Sequence, residues 1–192
     1  MSQSSSRLQV RGATVDAAKR YAMRHRGSAE YTAFVDSLEP SERELLEGRV
    51  NRSGWYSVPV YSAMITKASE HLAPQTPETF LSEGGAFVLD DGVNSLYRAF
   101  FAIARPSFVL RGSALLWSRF FKGSRLTVAS SGRRFAKVHI VGADFCSKPL
   151  CISIVGGMVR SLEHGGAHTV QVDHHRCRSE GGAHCEVHTS WR

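Results

Sequence analysis

The chain has 192 residues, 42% of them hydrophobic, and a formal net charge of +7 at pH 7. That length suits one domain with a real core, and the mix of charge and aromatics excludes a disordered chain. The longest apolar run, residues 149–159, is about half of what crosses a bilayer, and the start carries no apolar signal core. A cytoplasmic protein without a membrane span is the expectation.

In chain order, residues 1–12 are Ser-rich and read as a disordered tail, with residues 13–192 as a single ligand-binding-type domain. "ATVDAAKRYAMRHRG" has helical spacing, with Thr14 as its cap and Gly27 as its end. A second helix starts near Ser28. A third opens with a capping box from Ser41 to Glu44. After Pro59 a fourth helix places Tyr61, Met64, Ile65 and Leu72 on one apolar side. Thr76-Pro77 is a cap followed by a first-turn proline. Two aromatic-rich helical stretches follow, at residues 93–104 and 107–121.

The period then changes. Ala136, Val138 and Ile140 alternate with Lys137 and His139, which predicts a β-hairpin around Ser131-Gly132 with one buried face. Residues 147–162 return to helix and stop at Gly165-Gly166. "HTVQVDH" and "CEVHTSW" predict a second hairpin around "RSEGGAH". The fold class is therefore α+β, with N-terminal helices packed on a small C-terminal antiparallel sheet.

Nine basic residues and no acidic ones lie between Gly92 and Ala143. Such a block could attract an acidic protein partner or an anionic ligand, or it is simply a solvated face. No nucleic-acid-binding motif accompanies it, so nucleic acid is not expected.

The chemistry-bearing residues crowd at the end, in "HHRCRSEGGAHC" (residues 174–185). With Cys151 they give the spacing C-x22-H-x2-C-x7-C. Thiolates and a neutral imidazole suit Zn²⁺, and four protein ligands would make the site structural. A strict strand sets His174 and Cys177 on opposite faces, so a bulge before Cys177 is required. Asp173, His175 and His184 are close enough to substitute. A disulfide between Cys177 and Cys185, or independent thiols, are the competing readings.

Residues 149–191 resemble the C-terminal part of the 4-vinyl-reductase-type domain found in phenol-responsive sigma-54-dependent activators. That family carries Pro-x-Cys at a helix start, a glycine-containing helix, then Glu-x2-Cys-x7-Cys around a glycine turn. The matching positions are Pro149-Leu150-Cys151, Gly156-Gly157, and His174, Cys177 and Cys185 around Gly181-Gly182. The resemblance implies a 4-vinyl-reductase-like fold and a structural zinc on Cys151, His174, Cys177 and Cys185, with His174 standing where the family has an acidic residue. Cys146 falls outside the pattern. The whole chain also resembles a family of uncharacterised myxobacterial paralogous domains, through "RGATVDAAKRYAMRHRG", "WYSVPVYSAM" and "YRAFFAIARPS". That likeness implies the fold shared by haem-dependent nitric-oxide sensors and subunits of a vesicle-tethering complex.

The resemblance further implies an apolar ligand pocket. Its candidate lining is Phe100, Phe101, Phe108, Trp117, Phe120 and Phe121, with Arg105 and Arg111 as polar anchors. Each phenylalanine is equally accounted for as core. Trp55 and Trp191 read as structural plugs. The nitric-oxide sensors need a proximal histidine and a Tyr-x-Ser-x-Arg clamp, which "YSAMITKA" does not supply. No nucleophile elbow, phosphate-binding glycine loop, HExxH helix or carboxylate pair is present, so no enzyme is expected. Two functions remain. One is a non-catalytic sensor of a small apolar or amphipathic molecule, signalling as a homodimer or through a partner. The other is an assembly or adaptor protein of the vesicle-tethering type.

Overall fold

The computed structural model describes residues 7–92, 106–143 and 145–192. The predicted helix at 93–104 and the predicted pocket residues Phe100, Phe101 and Arg105 lie outside them.

The architecture is α+β, with two antiparallel sheets. The first sheet is built by residues distant in sequence. β1 (Gln9–Arg11) is its central strand, between β2 (Trp55–Ser57) and β3 (Phe121–Lys122). Residues 9–11, which fall in the expected disordered tail, are therefore strand. Leu8 and Val10 are buried, and burying each such side chain is worth about 1.5–3 kcal/mol. Three apolar-centred residues with partners on both sides make a strand that periodicity cannot see.

α1 (Gly12–Arg26) follows β1 without a loop. Glycine at its start is required sterically, because a methyl group there would overlap the carbonyl oxygen of Asn51. Thr14 is inside the helix, not its cap, and is buried. α2 (Ser28–Asp36) and α3 (Pro40–Leu46) follow. The capping box of α3 is formed by Glu39 and Glu42, two residues ahead of the predicted pair, because Pro40 takes the first helical turn. α4 (Val58–Leu72) buries the predicted stripe of Tyr61, Met64, Ile65 and Leu72.

α5 (Pro77–Gly92) and α6 (Pro106–Phe120) precede the second sheet. That sheet comprises β4 (Arg125–Ser131), β5 (Phe135–Val141), β6 (Gln171–Arg176) and β7 (Cys185–Ser190), in the order β4-β5-β7-β6. The predicted inward residues of β5, Ala136, Val138 and Ile140, are buried. α7 (Lys148–His164) connects β5 to β6. The Ser147 hydroxyl caps it by accepting from the Leu150 amide at 3.2 Å. Among the described residues, apolar side chains of the seven helices and both sheets join one buried cluster, which includes Val10, Phe34, Met64, Leu110, Leu162 and Val187.

Candidate functional site: an apolar cavity and a four-cysteine cluster

A cavity of about 420 Å³ lies where α1, α5, α6 and α7 meet the first sheet. Its apolar wall includes Val88, Leu116, Trp117, Phe120, Phe121, Leu126, Ile154 and Met158. The close approach of α5 and α7 shapes one side, where Gly85, Ser153 and Gly157 line it. Trp55 stands in the lining rather than in the interior packing expected of a plug. Arg11 and Lys122 lie over its ring, at 4.9 and 4.2 Å from the centroid. That places two cations on an aromatic face.

Of the predicted pocket residues, Trp117, Phe120 and Phe121 line this cavity. Phe108 does not; it is 58% exposed. Arg111 borders a separate shallow depression with Ala114 and Val128. Sequence reasoning missed the contributions of Arg11, Thr14, Tyr61 and α7. Burial on the helical stripe was the available signal for Tyr61.

Two polar groups in the wall carry information. The Thr14 hydroxyl is buried and has no hydrogen-bond partner, a costly state unless something else supplies one. Tyr61 is buried, and burial pushes its phenol well above the ordinary range, opposed by a hydrogen bond with Ser153. It is therefore a neutral phenol at physiological pH.

Beyond the cavity, the structure gathers four sulfurs. Cys146 precedes α7, Cys151 is in its first turn, Cys177 follows β6 and Cys185 begins β7. Cys146 Sγ is 3.1 Å from Cys151, 3.3 Å from Cys185 and 3.9 Å from Cys177. Cys151 is 3.7 Å from Cys177 and 3.9 Å from Cys185. A register shift between His174 and Arg176 supplies the required bulge. A 3-10 turn (Arg178–Glu180) then closes through Gly181, whose φ of 89° suits glycine. This turn brings Cys177 back to Cys185. All four are free cysteines, so the cross-hairpin disulfide is absent.

The donor set thus differs from the expected one: Cys146 completes the group, and His174 is not a member. Four thiols in contact could hold a soft cation. Cys185 is the member that ionises most readily, because the Cys146 and Cys151 thiols donate to it and His174 adds to the effect. For Cys146, the Cys151 hydrogen bond favours the thiolate, but the Cys185 sulfur and burial outweigh it and push the thiol up to about 12. His174 is raised by the neighbouring Cys185 sulfur.

No protein-family model matches the chain, and no curated protein matches it. Solved structures do. An H-NOX protein from S. oneidensis in the Fe(II)NO ligation state superposes with a TM-score of 0.71 at 10% identity, covering 95% of this chain and 99% of that one. An unliganded Fe(II) H-NOX protein from K. algicida gives 0.68 at 11% identity, covering 95% and 96%. A Cs H-NOX mutant gives 0.68 at 14% identity, with the same coverage. The fold is therefore H-NOX-like.

These matches overturn the 4-vinyl-reductase-type resemblance and the structural zinc derived from it. The proteins that share the fold are described by their iron(II) state, and the transfer of an acidic ligand's place to His174 fails on geometry. The vesicle-tethering alternative gains no support from them.

Haem, which this fold family implies, needs an axial donor at the iron. None of the nine histidines and no cysteine is among the described lining residues. The stretch 93–105 contains neither residue type. Among the described lining residues the remaining donors are the Met158 thioether and the Tyr61 phenol, and the latter is held protonated. The residues present do not fit a histidine-ligated haem.

Proposed function

We propose that this chain is a non-catalytic sensory domain that takes a small apolar or amphipathic molecule into the cavity without coordinating it to iron. The observation that carries this reading is the cavity itself. Its volume falls in the range of small-molecule sites, and its apolar wall contains the unpartnered Thr14 hydroxyl. A ligand with an aromatic or aliphatic body and one polar group satisfies both features.

The S. oneidensis protein of the same fold is described with NO at Fe(II); in this reading the cavity of the present chain takes its ligand without a metal. Binding would be read out through a dimer or a separate partner. Among the described residues no helix is long and apolar enough to cross a membrane.

The test is thermal denaturation against a panel of small phenols, indoles and medium-chain fatty acids. A ligand at a hundred times its Kd stabilises by about 2.7 kcal/mol, or about 5–10 °C for a chain of this size. Ile154→Trp, which fills the cavity, should abolish the shift. Adding hemin should give no saturable binding with the spectrum of an axially ligated haem. A one-to-one, histidine-type haem spectrum would overturn the reading.

A further inference from the structure

We infer that His139, His184 and Glu186 form a binding site for a first-row divalent transition ion on the outer face of the second sheet, distinct from the cavity and from the sulfur cluster. The site follows from strand geometry. His184 immediately precedes β7 and Glu186 is that strand's second residue, and both side chains reach the same side. His139 on β5 is the register partner of Glu186. Cys185 lies between them and faces the opposite side, among the sulfurs.

The donor atoms converge. His139 Nε2 is 3.2 Å from Glu186 Oε2, and His184 Nε2 is 3.9 Å from the same oxygen. The two imidazole rings are 4.3 Å apart between centroids, and the three donor atoms all lie within 4.8 Å of one another. An independent observation points to a ligand. Both Nε2 atoms are shut off from solvent, and neither has a hydrogen-bond partner. Two buried nitrogens aimed at one carboxylate oxygen are costly as they stand, and a cation among them satisfies all three donors together.

Two imidazoles and a carboxylate form the donor set of borderline ions such as iron(II), cobalt(II) and nickel(II), with coordination positions left over for water or a partner group. The other oxygen of Glu186 is already oriented. It accepts from His188 Nε2 at 2.6 Å and pairs with Lys137 Nζ at 3.1 Å. These contacts fix the carboxylate and leave its second oxygen facing the two imidazoles. His188 is an outer-sphere support, whereas the Lys137 ammonium opposes a divalent charge. Lys137 is 39% exposed at its side chain and can swing into solvent.

Cobalt(II) added to the full chain is the probe. The expected result is about one equivalent bound beyond any held by the sulfurs, with visible d–d bands that appear without a matching rise in sulfur-to-cobalt charge transfer. His184→Ala and Glu186→Gln should each weaken binding more than about tenfold, the scale that even an outer-sphere change can reach. Lys137→Met should tighten it. His175→Ala, on an exposed ring stacked on His188, should leave affinity nearly unchanged. Should Glu186→Gln fail to fold, His184→Ala, just outside the first residue of β7, carries the comparison. Unchanged affinity in His184→Ala, or cobalt seen only with sulfur charge transfer, would overturn the site. Neither outcome bears on ligand binding in the cavity.

Discussion

Gly85 of α5 and Ser153 of α7 approach so closely that a methyl group on Gly85 would overlap the Ser153 carbonyl oxygen. Gly156 stands in the reciprocal relation to Ser82. Glycine at both positions lets two helices meet backbone to backbone, and that contact forms one wall of the cavity. Gly85→Ala and Gly156→Ala should therefore each destabilise by about 2–4 kcal/mol, well above the ordinary effect of a helix glycine, which favours alanine by about 1 kcal/mol. Urea denaturation checks this. Gly84→Ala is the control, since its methyl would meet only the ring edge of Tyr21 at 3.2 Å.

The sulfur cluster makes a second prediction. Cys146 touches three other sulfurs, whereas His174 stands outside the group. Cys146→Ser should lower the melting temperature by as much as Cys185→Ser does, each costing at least about 1 kcal/mol. His174→Ala should cost less. A Cys146→Ser variant with wild-type stability would show that this sulfur is a bystander.

What could be read from the chain was local periodicity. The stripe of α4 and the alternation in β5 come from single continuous segments, and both predictions hold. The cavity is different. Arg11 and Trp55 reach it through a sheet whose strands have two or three residues and whose partners lie more than forty positions apart, and Thr14 reaches it from the helix that this sheet positions. No periodic signal exists over three residues. Cys146 was missed for a related reason. It lies before the helix cap, where neither helix nor strand spacing applies, and the borrowed pattern directed attention to His174.

Acid should loosen the first helix from α5. Asp91 Oδ1 is 2.6 Å from Arg20, and its other oxygen is 3.0 Å from Arg52. Arg20 and Arg52 also both pair with Asp16. Burial alone would raise the Asp91 pKa, but the hydrogen bonds and charges of Arg20 and Arg52 outweigh it and hold the carboxyl below its usual value. A depressed folded pKa means stability that is present above the unfolded value and is lost as pH falls through the folded one. Asp91→Asn should thus cost about 1 kcal/mol at neutral pH, a figure kept small by the exposed arginines. The difference from wild type should shrink steadily below about pH 4. Equilibrium unfolding at pH 7 and at pH 3 measures it.

Thr14 gives the sharpest link between stability and binding. Its hydroxyl is buried in the cavity wall without a partner, and valine matches its shape without the polar group. Removing a buried, unsatisfied hydroxyl should stabilise the ligand-free protein by about 1 kcal/mol. In the same variant, any amphipathic molecule that donates to or accepts from that hydroxyl should bind about fivefold to tenfold more weakly. A purely apolar ligand of the same size should not. Melting curves with and without each ligand separate the two effects. A Thr14→Val protein that is less stable than wild type would show that the hydroxyl has a partner in solution, and that ligand polarity is read elsewhere in the cavity.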